Sequence, residues 1–221
     1  MPASRRIVAA FVLAAVLALQ PGGAEAHPHV WVTVEATVPY ENGTITGLQE
    51  AWTFDEFYTQ QAIEGLDANR DGKYDRQELA ELAKVNIDGL KEFNYFTYAK
   101  LGAGDLKFKP PVDYWLEHTD KGILKLHFTL PLEQPVQAST DGFTFQVHDP
   151  SYFIAFDLAK DNPVKLGSQA PAGCAAAVSD PAEEADSQTQ QLNDAFSGTL
   201  AAADAISGGS AKTVAVRCNK S

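Results

Sequence analysis

The chain has 221 residues, a net charge of −12 and only two cysteines. That acidity argues against nucleic-acid binding by phosphate neutralisation and suits a protein that handles cations. The size fits one domain of ordinary extent, with room for an insertion.

Residues 1–26 read as a secretory signal. Arg5 and Arg6 are a positive start, Ile7 to Leu19 is an apolar run, and Ala24-Glu25-Ala26 fits the small-residue cleavage rule. The run is short of the ~20 residues needed to span a bilayer. Cleavage after Ala26 is therefore expected to release a periplasmic chain, 27–221, that does not itself span the membrane. The leader holds Arg5 and Arg6 against Glu25, so its loss makes the remainder more acidic.

That cut would leave His27 with a free amine and His29 two residues on, both on one strand face. Three nitrogens in so short a stretch suit a divalent transition metal: zinc, nickel, cobalt or copper. Pro28 has no amide proton, which disfavours the square-planar mode that uses successive backbone nitrogens.

Residues 29–38 alternate and are β-branched, so they predict a strand. Glu41-Asn42-Gly43 marks a turn, and 44–53 a second strand. The period then becomes helical. Phe54, Phe57, Tyr58, Ala62 and Leu66 form one stripe, ending near Gly65; a second helix begins near Arg76 and runs through Leu79, Leu82 and Ala83. Asp55-Glu56 at the junction is an acidic pair of the kind a helix N-terminus favours.

Between these helices Asp67 to Glu78 matches the calcium loop of an EF-hand. Asp67, Asn69 and Asp71 are oxygen donors at positions one, three and five, and Gly72 stands at the sharp turn. Lys73 would give its carbonyl, Asp75 a water-mediated contact and Glu78 a closing bidentate carboxylate. Tyr74 occupies the place where an aliphatic usually pairs with a second loop, and no second loop is present. A single hand against a sheet predicts a structural calcium ion rather than a sensor.

After Lys91 the pattern predicts strands over 93–100, 112–118, 122–130, 142–148 and 152–158, separated by Gly, Pro and Asp turns. His118 is expected at the surface. His127 shares a face with Lys125 and Thr129 and is expected to be solvated. His148-Asp149-Pro150 ends a strand, where an imidazole beside a carboxylate could complete a metal site with His27 and His29. Residues 168–173 are expected to form a linker, 174–178 a strand, a helix to start at Asp180-Pro181 with Leu192, Phe196, Leu200 and Ala203 on its apolar face and to end at Gly208-Gly209, and 213–218 a last strand. In an oxidising compartment Cys174 and Cys218 are expected to form a disulfide; a two-thiol metal site is the rival. The fold class is then α+β: an antiparallel, sandwich-like sheet core, an EF-hand-like helical insertion over 53–90, and a C-terminal helix within a disulfide-tied segment, 168–221.

No GxSxG elbow, HExxH or phosphate loop occurs, so no catalytic site is expected. The ordered set His27-Pro28-His29-Val30-Trp31-Val32, Trp52 to Phe57, Asp67 to Glu78, His148 to Asp157, Cys174 and Cys218 resembles the bacterial family known as domain of unknown function 1007. The resemblance implies a periplasmic component of an ABC-type or nickel/cobalt-associated transport system, with a membrane permease as partner. Relatives tend to have Tyr before the Asp-Pro pair where this chain has His148, which makes Asp149 the better ligand to carry over. Two other roles fit: an interaction module that docks a permease, or a copper oxidative enzyme with an N-terminal histidine brace completed by His148 or His127.

Overall fold

The computed structural model describes residues 28–179 and 211–218. The leader, His27 and the helix expected from Asp180-Pro181 to Gly208-Gly209 lie outside the described residues.

Two sheets carry the fold. β1 (Val30–Val38), β2 (Tyr40–Glu41) and β3 (Thr44–Phe54) open the chain. The helical insertion follows, with α1 (Glu56–Ala62) and α2 (Ala80–Leu90). Next come β4 (Thr97–Leu101), β5 (Gly104–Leu106), β6 (Val112–His118), β7 (Leu124–Gln137) and β8 (Phe143–Val147). β9 (Ile154–Leu158), β10 (Val164–Leu166), β11 (Cys174–Ser179) and β12 (Thr213–Cys218) complete the set. The first sheet has seven strands, ordered β10-β1-β3-β7-β6, with β2 on β3 and β9 on β1; the second has five, ordered β11-β12-β8-β4-β5.

Alternation decides which face is inside. Val32, Val34, Ala36 and Val38 of β1 are buried, as are Leu48 and Trp52 of β3 and Leu124, Leu126, Phe128 and Leu130 of β7. Phe143, Phe145, Val214 and Val216 meet them from the second sheet. Burying each such side chain contributes about 1.5–3 kcal/mol. Trp52 packs edge-on against Phe128 and Phe156 at 5.0 and 4.9 Å. Gly47 lets β3 and β7 meet closely at an irregularity in register: a Cβ there would lie 2.3 Å from the Leu130 carbonyl oxygen.

The fold differs from expectation in three ways. The first sheet is mixed, because β9 and β10 both run parallel to β1. Residues 93–96 are not strand: Asn94, Tyr95 and Phe96 take left-handed φ of 53°, 53° and 48°. There the Asn94 amide donates to the Thr97 carbonyl and the Thr97 hydroxyl to that of Tyr95, so the strand starts only at Thr97. Finally, α2 starts at Ala80 rather than Arg76, because Asp75 first caps a turn by accepting from the amides of Gln77 and Glu78.

The insertion is tied down by a few contacts. Leu79, Ala83 and Ile87 are the buried stripe entering and following α2. The Tyr58 hydroxyl donates to Asn86 Oδ1 at 2.8 Å, joining α1 to α2. Thr59 accepts from the Leu124 amide, joining α1 to β7. Cys174 and Cys218 sit opposite each other on β11 and β12 and form the disulfide. No helix among the described residues is long and apolar enough to cross a membrane.

Candidate metal centre

The loop from Asp67 to Glu78 folds round its own side chains. Asp67 accepts from the amides of Asp71 and Gly72 through its two oxygens, at 3.2 and 3.0 Å. Asn69 Oδ1 accepts from the Asp71 amide, and Asp71 Oδ1 from that of Lys73, both at 2.8 Å. Glu78 closes the ring: Oε1 accepts from the amides of Ala68 and Asn69, Oε2 from that of Asp75. Gly72 takes φ +76°, which a side chain would oppose. Asp67, Asn69, Asp71 and Glu78 are thus turned toward loop backbone, while Asp75 caps the turn that follows through the Gln77 and Glu78 amides. The set is all oxygen, the chemistry a hard cation such as calcium takes. Among the described residues no three His, Cys, Asp or Glu side chains converge as a metal-holding group; here the carboxylates bond amides.

The loop docks on β6 by two ring contacts. Tyr74 stands edge-on to His118 at 5.0 Å, and the Arg76 guanidinium lies 4.5 Å over Trp115. Trp115 in turn stacks on His127 at 4.1 Å with planes 6° apart. His127 Nε2 lies 2.9 Å from Glu117 Oε2.

The N-terminal histidine region is built differently. The His29 amide donates to the Phe153 carbonyl, and its exposed ring sits 4.8 Å from that of Phe153. Asp55 joins β1 to α1, one oxygen accepting from the Trp31 amide and the other from that of Tyr58 as helix cap. His148 packs on Tyr98 at 4.6 Å, and burial lowers its pKa against the pull of Asp149. Asp149 is a buried turn cap. Its Oδ1 accepts from the amide and hydroxyl of Ser151, its Oδ2 from the Ile154 amide. Burial alone would raise its pKa, but these bonds outweigh burial and hold it below the usual range. The structure therefore places Asp149 and Phe153 in one turn, with His29 beside it just before β1, and gives the Asp149 oxygens partners of their own.

Glu50 escaped the sequence reading. It is 2 % exposed, on the inward phase of β3 between Leu48 and Trp52. Oε2 accepts from the Trp52 indole at 3.1 Å, Oε1 has no partner among the described residues, and burial pushes its pKa up to about 7. A carboxylate at an apolar phase was the signal available.

The family described as "Protein of unknown function (DUF1007)" matches residues 12–218. The chain is 28% identical over 148 residues to an "Uncharacterized protein" of Haemophilus influenzae, covering 66% of this chain and 69% of that one. It is 32% identical over 100 residues to an "Uncharacterized 15.5 kDa protein in trpE 3'region" of Spirochaeta aurantia, covering 45% of this chain and 70% of the relative. The chain belongs to the DUF1007 family.

Proposed function

We propose that this DUF1007 member acts in the periplasm as a non-catalytic, cation-binding accessory of a transport system. In this reading calcium occupies the Asp67–Glu78 loop as a structural ion. The observation that supports it is that Asp67, Asn69, Asp71 and Glu78 each turn their oxygens onto amides of one loop, with Gly72 at its bend. When bound, calcium would supply charge neutralisation to these carboxylates and stiffen the hairpin of α1 and α2. Arg76 and Tyr74 would then hold β6 on a firmer base. A transition metal (zinc, nickel, cobalt or copper) would be taken at the strand start by His29 with His27, with His148 or Asp149 reached only if the 149–154 turn gives up bonds.

Calorimetry on the full chain tests this. Calcium should bind with a Kd of about 10⁻⁴ to 10⁻³ M, as in extracellular modules. Glu78→Gln should weaken it at least tenfold, and His27→Ala with His29→Ala should abolish nickel or zinc binding and leave calcium unchanged. Equal calcium binding by Glu78→Gln would refute the loop assignment.

A second reading is favoured by the exposed aromatic surface. Trp31, Phe57, Phe93 and Phe153 are each more than half exposed. A cavity of about 450 Å³ lies between α2 and the 149–154 turn, lined by Val85, Leu90, Phe93 and Phe153. Apolar patches of this sort mark interaction sites, and a permease would be the partner. Loss of permease binding in Phe93→Ser with Phe153→Ser, with metal binding intact, would support docking as the main role.

A further inference from the structure

The outer face of the seven-stranded sheet carries a groove of about 390 Å³. Its cause is one small side chain. Across the ladder Glu35 stands opposite Ala51, Ala51 opposite His127, and His127 opposite Trp115. Paired residues share a face, so the row dips at the Ala51 methyl between two long polar side chains. Lys125 reaches from β7 to Glu35 on β1 and bonds it, closing one end of the dip.

Both lips are locally strained. On β6 the register shifts between Val112 and Trp115, and Asp113 takes φ +52°. Across the groove Asn162 takes φ +47° just before β10, where Lys165 pairs with Thr37. Bulges and left-handed non-glycine residues re-aim side chains and cluster at functional sites. The protein is strongly acidic, yet apart from Glu50, whose side chain is buried on the inward phase, the groove sets Lys125 and Lys165 against Glu35 and Asp113. The Lys125 hydrogen bond first, with charge from Lys165 and His127, holds Glu35 below the usual carboxylate range. The cations thus gather round Glu35 on the β1 side, and Asp113 stands on the opposite wall.

We propose that this groove binds a short zwitterionic peptide, its carboxylate at Lys165 and Lys125 and its ammonium at Asp113. From β1 to β6 is three strand spacings, about 14 Å. An extended tripeptide spans about 10 Å, and the Lys125, Lys165 and Asp113 side chains that line the groove cover the remainder. Gln49, Thr37 and Thr129 on the floor offer donors and acceptors to its amides.

The test uses the full chain and three probes: trialanine, N-acetyl-trialanine and trialanine amide. Binding is read by calorimetry and by the fluorescence of Trp115, which lines the groove. Trialanine should bind at least tenfold more tightly than either capped form. Lys165→Ala should erase discrimination against the amide, and Asp113→Asn, which tolerates the same backbone, discrimination against the acetylated form. Ala51→Leu should abolish binding with its unfolding midpoint unchanged. Should Ala51→Leu not fold, the Lys165 and Asp113 variants decide alone. No trialanine signal at a concentration about tenfold above a millimolar Kd would overturn the proposal, as would equal binding of the capped peptides.

Discussion

Replacing Glu50 by Gln should stabilise the protein at alkaline pH and change little in acid. Glu50 lies between Ala36 on β1 and Phe128 on β7, and burial lifts its pKa from 4.5 to about 7. A carboxyl raised in the folded state contributes stability that is complete below its unfolded pKa and lost as pH rises through its folded one. The window is therefore pH 4.5 to about 7, and the difference corresponds to roughly 3 kcal/mol. Gln keeps an oxygen for the Trp52 indole and cannot ionise. His148 works in the opposite sense: burial lowers its pKa, so its contribution is lost as pH falls. The variant-minus-wild-type difference cancels His148 and isolates Glu50. Urea unfolding at pH 5, 6, 7 and 8 in saturating calcium should give a difference of about 1 kcal/mol at pH 5, rising to about 3 kcal/mol in favour of Gln at pH 8. A difference that stays flat across the series would refute the reasoning.

Three other outcomes are expected. Reducing the Cys174–Cys218 disulfide, which joins residues 44 apart, should cost about 4 kcal/mol in urea unfolding on the chain-entropy account. Gly47→Ala should lower stability by about 1–3 kcal/mol, because its Cβ would strike the Leu130 carbonyl and force β3 from β7; thermal unfolding reads it. Arg76→Ala should cost about 0.5–1 kcal/mol and leave tryptophan fluorescence insensitive to calcium, whereas wild type should respond through the Arg76 contact on Trp115.

What was legible in the sequence was local. The Asp67–Glu78 loop, the strand alternation of Val30 to Val38 and the Cys174–Cys218 pair depend on near neighbours or on a pair with no rival. Tyr74 looked like a defect in the loop and is its anchor, since His118 lies far along the chain and only the folded sheet brings it to the ring. The parallel pairing of β9 and β10 with β1 was hidden for the same reason. Asp149 shows a different failure. Asp-Pro-Ser is a turn signal as well as a ligand signal, and the structure gives its oxygens to Ser151 and Ile154. Glu50 was within reach: it shares its phase with Leu48 and Trp52, and its charge stood out there.

β6 links the two proposed sites. It is the edge of its sheet, with β7 as its ladder partner, and its bulge at Asp113 weakens that pairing further. An edge so placed needs support from outside the sheet, and Arg76 and Tyr74 give it from the loop. The same Trp115 that Arg76 covers stacks on His127, next to the Ala51 floor. A cation that stiffens the loop therefore stiffens one wall of the groove. If calcium and peptide both bind as proposed, each must raise the affinity of the other by the same factor, because coupling between two sites is reciprocal. Among the described residues the histidine region lies away from β6: His29 and Phe153 sit where β1 pairs with β9, on the other side of β3. If metal binds at His27 and His29 as proposed, any coupling to the loop must run through Asp55, which accepts from the Trp31 amide and caps α1.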